Sequence, residues 1–213
     1  LSIRRQRQMC IRDRCYPCDA IVNNVISENN GLGYSGTNSG GSLYIISSVF
    51  RNNKGGLAPN TLDSELLPPE RETFIIGNLI ENNNNNDAPA TKSTYLSFGN
   101  GVIIAGGNNN IIKNNVIANH DLYGVILTAA ADVNYWPAHG NRVEDNLILS
   151  SNRADMAISG ISNLGNCFKG NYFNTSIPPG LQSLNNCDAG YIPLSSDLSG
   201  MWSSLARIIH ASD

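Results

Sequence analysis

Residues 110–128 read Asn110-Ile-Ile-Lys-Asn114-Asn115-Val-Ile-Ala-Asn119-His120-Asp-Leu-Tyr123-Gly124-Val-Ile-Leu-Thr128. Three short apolar runs are cut by two polar breaks. At the first break Asn114 tolerates the left-handed αL conformation, and a second asparagine, Asn115, follows it. A short strand, an αL residue, an Asn and another short strand describe a sharp bend in a coil of β-structure. Gly124 then opens a third strand.

Working outward, the same pattern recurs as Ile21–Ile26, Ile45–Phe50, Ile75–Ile80, Val143–Ile148 and Cys167–Phe173. The αL column reads Asn23, Ser47, Gly77, Asn114, Asp145, Gly170. The column after it reads Asn24, Ser48, Asn78, Asn115, Asn146, Asn171. Spacings of 24, 30, 37, 31 and 25 residues fit one repeat per coil with insertions in the loops. An Asn stacked on the Asn of the next coil can hydrogen-bond along the stack and to the bend, satisfying groups that would otherwise be buried unpaired. Third strands are expected near 31–34, 56–58, 101–104, 124–128 and 156–158. Three strands per coil and five to six coils, stacked about 4.8 Å apart, make an all-β parallel β-helix, to which the resemblance given below adds a right-handed coil. A β-sandwich would need hairpin turns and no fixed Asn column.

Composition agrees. The chain has 31 Asn and 20 Gly in 213 residues, with 41% hydrophobic and 15% charged residues. Asn and Gly are poor helix formers. The low charge argues against disorder. The longest apolar run, Gly124–Ala131, is far short of the ~18–20 residues of a membrane span. Residues 1–14 carry five of the fourteen basic residues, and the rest has nine basic against sixteen acidic, a net of −7. That acidic body offers no basic face to nucleic acid. The segment Gln8-Met9-Cys10-Ile11-Arg12-Asp13-Arg14 reads as a non-native leader; the alternative is a basic arm for an anionic surface. The expected organisation is a leader at 1–14, the β-helix at 15–175, and a C-terminal cap and tail at 176–213.

The Ile-x-x-Asn-x-Ile and Gly-Val-Ile pattern over residues 19–175 resembles the right-handed parallel β-helix repeat family. That family includes pectate lyases, polysaccharide epimerases and the periplasmic accessory protein of nitrous oxide reductase. The resemblance implies a fold, and an exported, extracytoplasmic protein that binds or processes polysaccharide, or a non-catalytic structural or accessory protein of the cell envelope. It names no catalytic set, because coil residues define the family.

A β-helix needs its ends covered. Ser196 or Asp197 can cap a short helix with Leu198, Met201, Trp202, Leu205, Ile208 and Ile209 on one face. A Cys167–Cys187 disulfide would pin the tail to the last coil and suit an oxidising compartment; two unpaired core thiols are the alternative. Cys15 and Cys18 lack the second half of a zinc site and read as incidental.

Chemistry is expected where insertions cluster. The loop after the third strand is long at 60–72, short at 106–110 and long at 132–141. Two tall loops should therefore flank a groove about 10 Å wide, floored by Gly106-Gly107-Asn108. Candidate acid–base residues are Glu70, Arg71, Asp132 and His139. Candidate substrate-binding residues are Asp63, Glu65, Tyr135 and Trp136, the last two through ring stacking on a sugar. The plain alternative is a solvated loop surface. A weaker cluster is His120, Asp121 and Tyr123, beside the 82–86 loop, which is expected to be exposed and mobile. No calcium loop, phosphate-cradling loop or nucleophile elbow appears, and no cofactor is implied.

Overall fold

The computed structural model describes residues 15–90, 94–161 and 164–188. It is a parallel β-helix of six coils, in which three parallel sheets of six strands run in chain order. The first sheet holds Ala20–Asn23, Gly40–Ile46, Arg71–Ile76, Ile111–Lys113, Arg142–Glu144 and Cys167–Lys169. The second holds Ile26–Glu28, Val49–Arg51, Leu79–Glu81, Val116–Ala118, Leu147–Leu149 and Tyr172–Phe173. The third holds Leu32–Thr37, Gly55–Asn60, Val102–Ala105, Tyr123–Thr128, Ala154–Ser159 and Ser176–Ile177. Five spacings of about 4.8 Å make a rod of about 24 Å.

Alternation along each strand sends one residue inward per short strand. The register stacks Val22, Ile45, Ile75, Ile112, Val143 and Phe168 in the first sheet. Phe50, Ile80, Ile117 and Ile148 do the same in the second, and Leu57, Val102, Val125 and Met156 in the third. All but the end residue Val22 are essentially without solvent exposure, each worth about 1.5–3 kcal/mol of burial. They form one continuous core.

The bend column is an asparagine ladder. Asn78 donates its backbone N–H (2.9 Å) and side-chain amide (3.0 Å) to Asn115 Oδ1. Asn115 does the same to Asn146, and Asn146 to Asn171. Each side-chain amide also donates to a carbonyl of the preceding coil: Asn78 to Ile45, Asn115 to Ile75, Asn146 to Ile112 and Asn171 to Val143. The residues before them sit in αL: Ser47 (φ 47°), Gly77 (67°), Asn114 (54°), Asp145 (53°) and Gly170 (66°). The first coil differs from the sequence alignment by one residue. Asn23 lies in the strand, Asn24 (φ 53°) is the αL residue, and Val25 holds the ladder position, donating to Ser48 Oγ at 3.1 Å. The register pairs Val22 with Ile45, so the first spacing is 23 rather than 24. In a period-2 strand this slip turns Ile21 outward, where it is 66% exposed.

Two further ladders run at the other bends. Asn53 donates to Asn83 Oδ1 (2.9 Å), and the Asn83 N–H to His120 Nδ1 (3.4 Å). The 82–86 run is therefore structural rather than a free loop. Asn83 is fully buried, and Asn84 and Asn85 bond to Asp121 and to the Asn52 carbonyl. At the third bend Thr73, Asn110, Asn141 and Asn166 follow one another.

The C-terminal end is closed by the turn of helix Leu181–Leu184. Leu181 is fully buried in the core, and Gln182 Oε1 accepts from both the N–H and the side-chain amide of Asn171 at 2.9 Å. The helix expected at 196–209 lies outside the described residues, as does the leader. Cys167 and Cys187 are bonded. So are Cys15 and Cys18, whose segment pairs its backbone with Gly40 and Gly41 and so belongs to the fold.

Replacing Asn115 by Leu leaves the Asn78 N–H and the Ile75 carbonyl buried without partners. The expected loss is about 3 kcal/mol or more of unfolding free energy, read from urea titration. Asn86→Leu, on the surface, is expected to stay within about 0.5 kcal/mol.

Candidate functional site at the loop corner

The insertions do share one corner: Asn108 bridges to Arg71 on one side and to His139 on the other. The tall loops do not stand apart. Within the second loop Ala130–Ala131 and Tyr135–Trp136 pair as a small antiparallel hairpin. Asp63 of the first loop reaches across to it. Its carboxylate accepts from the Asn134 N–H (2.7 Å), the Asn134 side chain (2.7 Å) and Trp136 Nε1 (3.1 Å), and its own N–H donates to Asp132 (2.9 Å). These donors hold the Asp63 carboxyl below the usual carboxylate range, the two Asn134 bonds contributing most. Trp136 lies directly over Gly106, where an added Cβ would meet its backbone oxygen and Cβ at 2.9 Å. The expected groove is therefore bridged by a clasp, with the Ala130–Trp136 hairpin packed on Gly106 of its floor.

The four candidate acid–base residues each bond elsewhere. Arg71 donates to the Pro69 carbonyl and stacks its guanidinium 3.7 Å from the Tyr16 ring. Asp132 faces the Asp63 N–H. His139 Nδ1 accepts from the Leu164 N–H at 3.2 Å. Glu70 is sealed inside the coil with no exposure, accepting from Thr73 Oγ1 and from the Asn110 side chain, both at 2.8 Å. No bond joins any two of the four. Of the other candidates, Tyr135 exchanges hydrogen bonds with the backbone of Ile161. The Glu65 carbonyl anchors its loop to Asn38.

Glu70 takes a place in the third ladder. Asn141 and Asn166 send their side-chain amides to the carbonyls of Gly107 and Ala138. At the equivalent point Asn110 bonds the Glu70 side chain instead. The carboxyl occupies the space a side chain at 107 would need: a Cβ there would come within 2.0 Å of Glu70 Oε2, hence a glycine. Burial pushes the Glu70 acid up to about 8, so it is neutral at pH 7. In the second ladder His120 plays the asparagine's part: Nδ1 accepts, and Nε2–H faces the Ile80 carbonyl at 3.3 Å. Its burial lowers it to about 4. It is a ladder member, its ring nitrogens going to Asn83 and Ile80 rather than to Asp121 or Tyr123.

A stacked aromatic pair, not among the residues expected from sequence, lies on the outer face of the first sheet. Tyr44 and Phe74 precede inward Ile45 and Ile75, so both face outward on the first sheet, with rings stacked 4.6 Å apart at 13°. Exposed Ile21 continues their row in the first coil. Tyr16 and Arg71 lie at the start of the same strands, and the Tyr16 hydroxyl reaches Glu72 at 3.4 Å. The signal was in the alternation, since an aromatic one residue before an inward Ile must point to solvent.

No protein-family model, no curated protein and no solved structure matches the chain. Among the described residues there is no group of three or more His, Cys, Asp or Glu placed to hold a metal ion, and no helix long and apolar enough to cross a membrane.

Two predictions follow from the ladder acids and the clasp. Glu70 binds its proton more tightly folded than unfolded, so its stabilising effect is complete below about pH 4.5 and lost as pH rises toward about 8. His120 binds its proton less tightly folded, so stability falls as pH drops from about 6.5 toward 4. Melting temperature measured across pH 4–9 should therefore decline at both ends. Glu70→Gln should flatten the alkaline limb and His120→Asn the acid one. For the clasp, Asp63→Ala is expected to speed hydrogen exchange at the Asn134 amide and at the Trp136 indole, with ladder amides such as that of Asn115 unchanged.

Proposed function

We propose that this chain is a non-catalytic, polysaccharide-binding parallel β-helix. The stacked Tyr44–Phe74 pair on the outer face of the first sheet carries the reading. A sugar ring has an apolar face of C–H bonds, which can pack on an apolar aromatic ridge of this kind. The two rings stack face to face at 4.6 Å, so with Ile21 beside them they form an ordered apolar ridge on the outer face of the sheet, with little entropy left to lose on binding. Arg71, Glu72 and the Tyr16 hydroxyl lie near the start of the same strands and supply hydrogen bonds for sugar hydroxyls or carboxylates. Arg71 thus keeps a binding role in place of the acid–base role expected from sequence. The sealed Glu70 and the clasped loops speak against the catalytic version. The repeat pattern supports membership of the right-handed β-helix repeat family, and the Cys167–Cys187 bond supports an extracytoplasmic, oxidising location.

An accessory role, docking a protein partner at the cell envelope, is the second reading. The outward row Ile26, Val49, Leu79, Val116, Leu147 and Tyr172 favours it, being apolar in every coil of the second sheet.

Binding to a panel of neutral and acidic polysaccharides, with an ultraviolet assay for unsaturated products, separates these readings. The expected result is binding without product, weakened about tenfold or more by the Tyr44→Ala, Phe74→Ala double substitution at unchanged melting temperature. Release of unsaturated product, or binding indifferent to the substitution, would overturn the proposal.

A further inference from the structure

A disulfide closes the strap Cys15-Tyr16-Pro17-Cys18 just ahead of the first strand. The strap lies at the surface: Tyr16 is 43% exposed, Pro17 is exposed, and both cysteines are half-buried. It sits on Gly41, where an added Cβ would meet Pro17 Cα at 2.9 Å and the Tyr16 ring at 3.0 Å. The two sulfurs have different surroundings. Cys18 is fixed to the second coil. Its N–H is shared between the carbonyls of Gly40 and Gly41, both at 2.9 Å, and its Sγ accepts from the Gly40 N–H at 3.2 Å. Among the described residues this backbone pairing begins at Cys18, so Cys15 lies on the outer side of the ring. Arg71 stacks 3.7 Å from the Tyr16 ring and brings a guanidinium charge against the strap. An N–H and a cation beside a sulfur stabilise the negative charge it takes up when its bond breaks. The better stabilised sulfur leaves faster.

We propose that Cys15–Cys18 is a thiol–disulfide exchange site for small thiols, with Cys15 Sγ the atom attacked and Cys18 the leaving group. A thiolate attacks Cys15 Sγ. A mixed disulfide forms on Cys15, the Cys15–Cys18 bond breaks, and Cys18 leaves as a thiolate beside the Gly40 N–H. A second thiolate then attacks the sulfur of the bound thiol. The disulfide of the small thiol departs, and Cys15 leaves as a thiolate. Both cysteines take a proton from water, and the two electrons gained by the protein come from the two thiols. The oxidised strap holds Tyr16 over Arg71, and the reduced strap is free to lift it away. Cys167–Cys187 is placed differently. Cys167 lies in a strand paired with Arg142, its N–H donates to the Asn141 carbonyl, and Asn186, next to Cys187, bridges to Phe168. Coil pairing on both sides keeps those two sulfurs together, so a severed bond there recloses. The exchange site stands whether or not the neighbouring aromatic face binds polysaccharide.

Glutathione is the probe, with a Cys10→Ser chain that leaves only the four bonded cysteines. The folded protein is incubated across a range of glutathione concentrations, quenched with acid, alkylated and mapped by peptide mass spectrometry. Cys15–Cys18 should open at a glutathione concentration about tenfold or more below that needed for Cys167–Cys187. The trapped mixed disulfide should sit on Cys15 and not on Cys18. Arg71→Gln should slow the opening several-fold. Because that variant could disturb the strap, the position of the mixed disulfide in the chain with Arg71 intact is the second measurement. In urea strong enough to unfold the chain, the preference for Cys15 should disappear. Equal resistance of the two disulfides, glutathione found on Cys18, an opening rate indifferent to Arg71→Gln, or a preference for Cys15 that persists in urea would overturn the proposal.

Discussion

The structure depends on one match of dimensions. Strands pair at about 4.8 Å, and a side-chain amide stacked at that repeat can accept two hydrogen bonds from the coil before it while donating one forward and one back. Asn115 and Asn146 do this in succession, and Asn78 begins the run by accepting the Ser48 N–H. The αL residue ahead of each turns the chain sharply enough to place the amide inside the coil. Without the ladder, the bend would bury backbone donors and acceptors that no sheet reaches. With it, chain direction changes within two residues and the apolar columns stay in register through six coils.

Only the most regular of three ladders was plain in the sequence. Its column is asparagine in four coils running, whereas the second uses His120 and the third uses Thr73 with Glu70 beside it. A ladder needs an acceptor facing back and a donor facing forward, and imidazole or a protonated carboxyl meets part of that need without spelling Asn. The same substitutions made His120 and Glu70 look like chemistry. The slip at the first coil has a different origin. Ile21-Val-Asn-Asn-Val-Ile26 fits the motif in two registers, and only the strand partner, Leu43–Ile46, distinguishes them.

The loop corner was legible as a place and not as a shape. Loop lengths put Arg71, Asn108 and His139 side by side, which follows from counting residues per coil. What the tall loops do to one another depends on a few side chains at their tips, and Asp63 with its three donors decides it. The aromatic pair lies away from the insertions, on regular strands where plain alternation turns Tyr44 and Phe74 outward.

Gln182 has a consequence beyond packing. Asn171 would offer its donors to a seventh rung, and an incoming strand could supply it. Gln182 supplies it first, from within the same chain; one methylene longer than Asn, it reaches the position from a helical turn rather than from a β-bend. In a polymer chemist's terms the C-terminal end of the stack is a terminated chain, where growth by addition of another coil would require the existing end group to leave first.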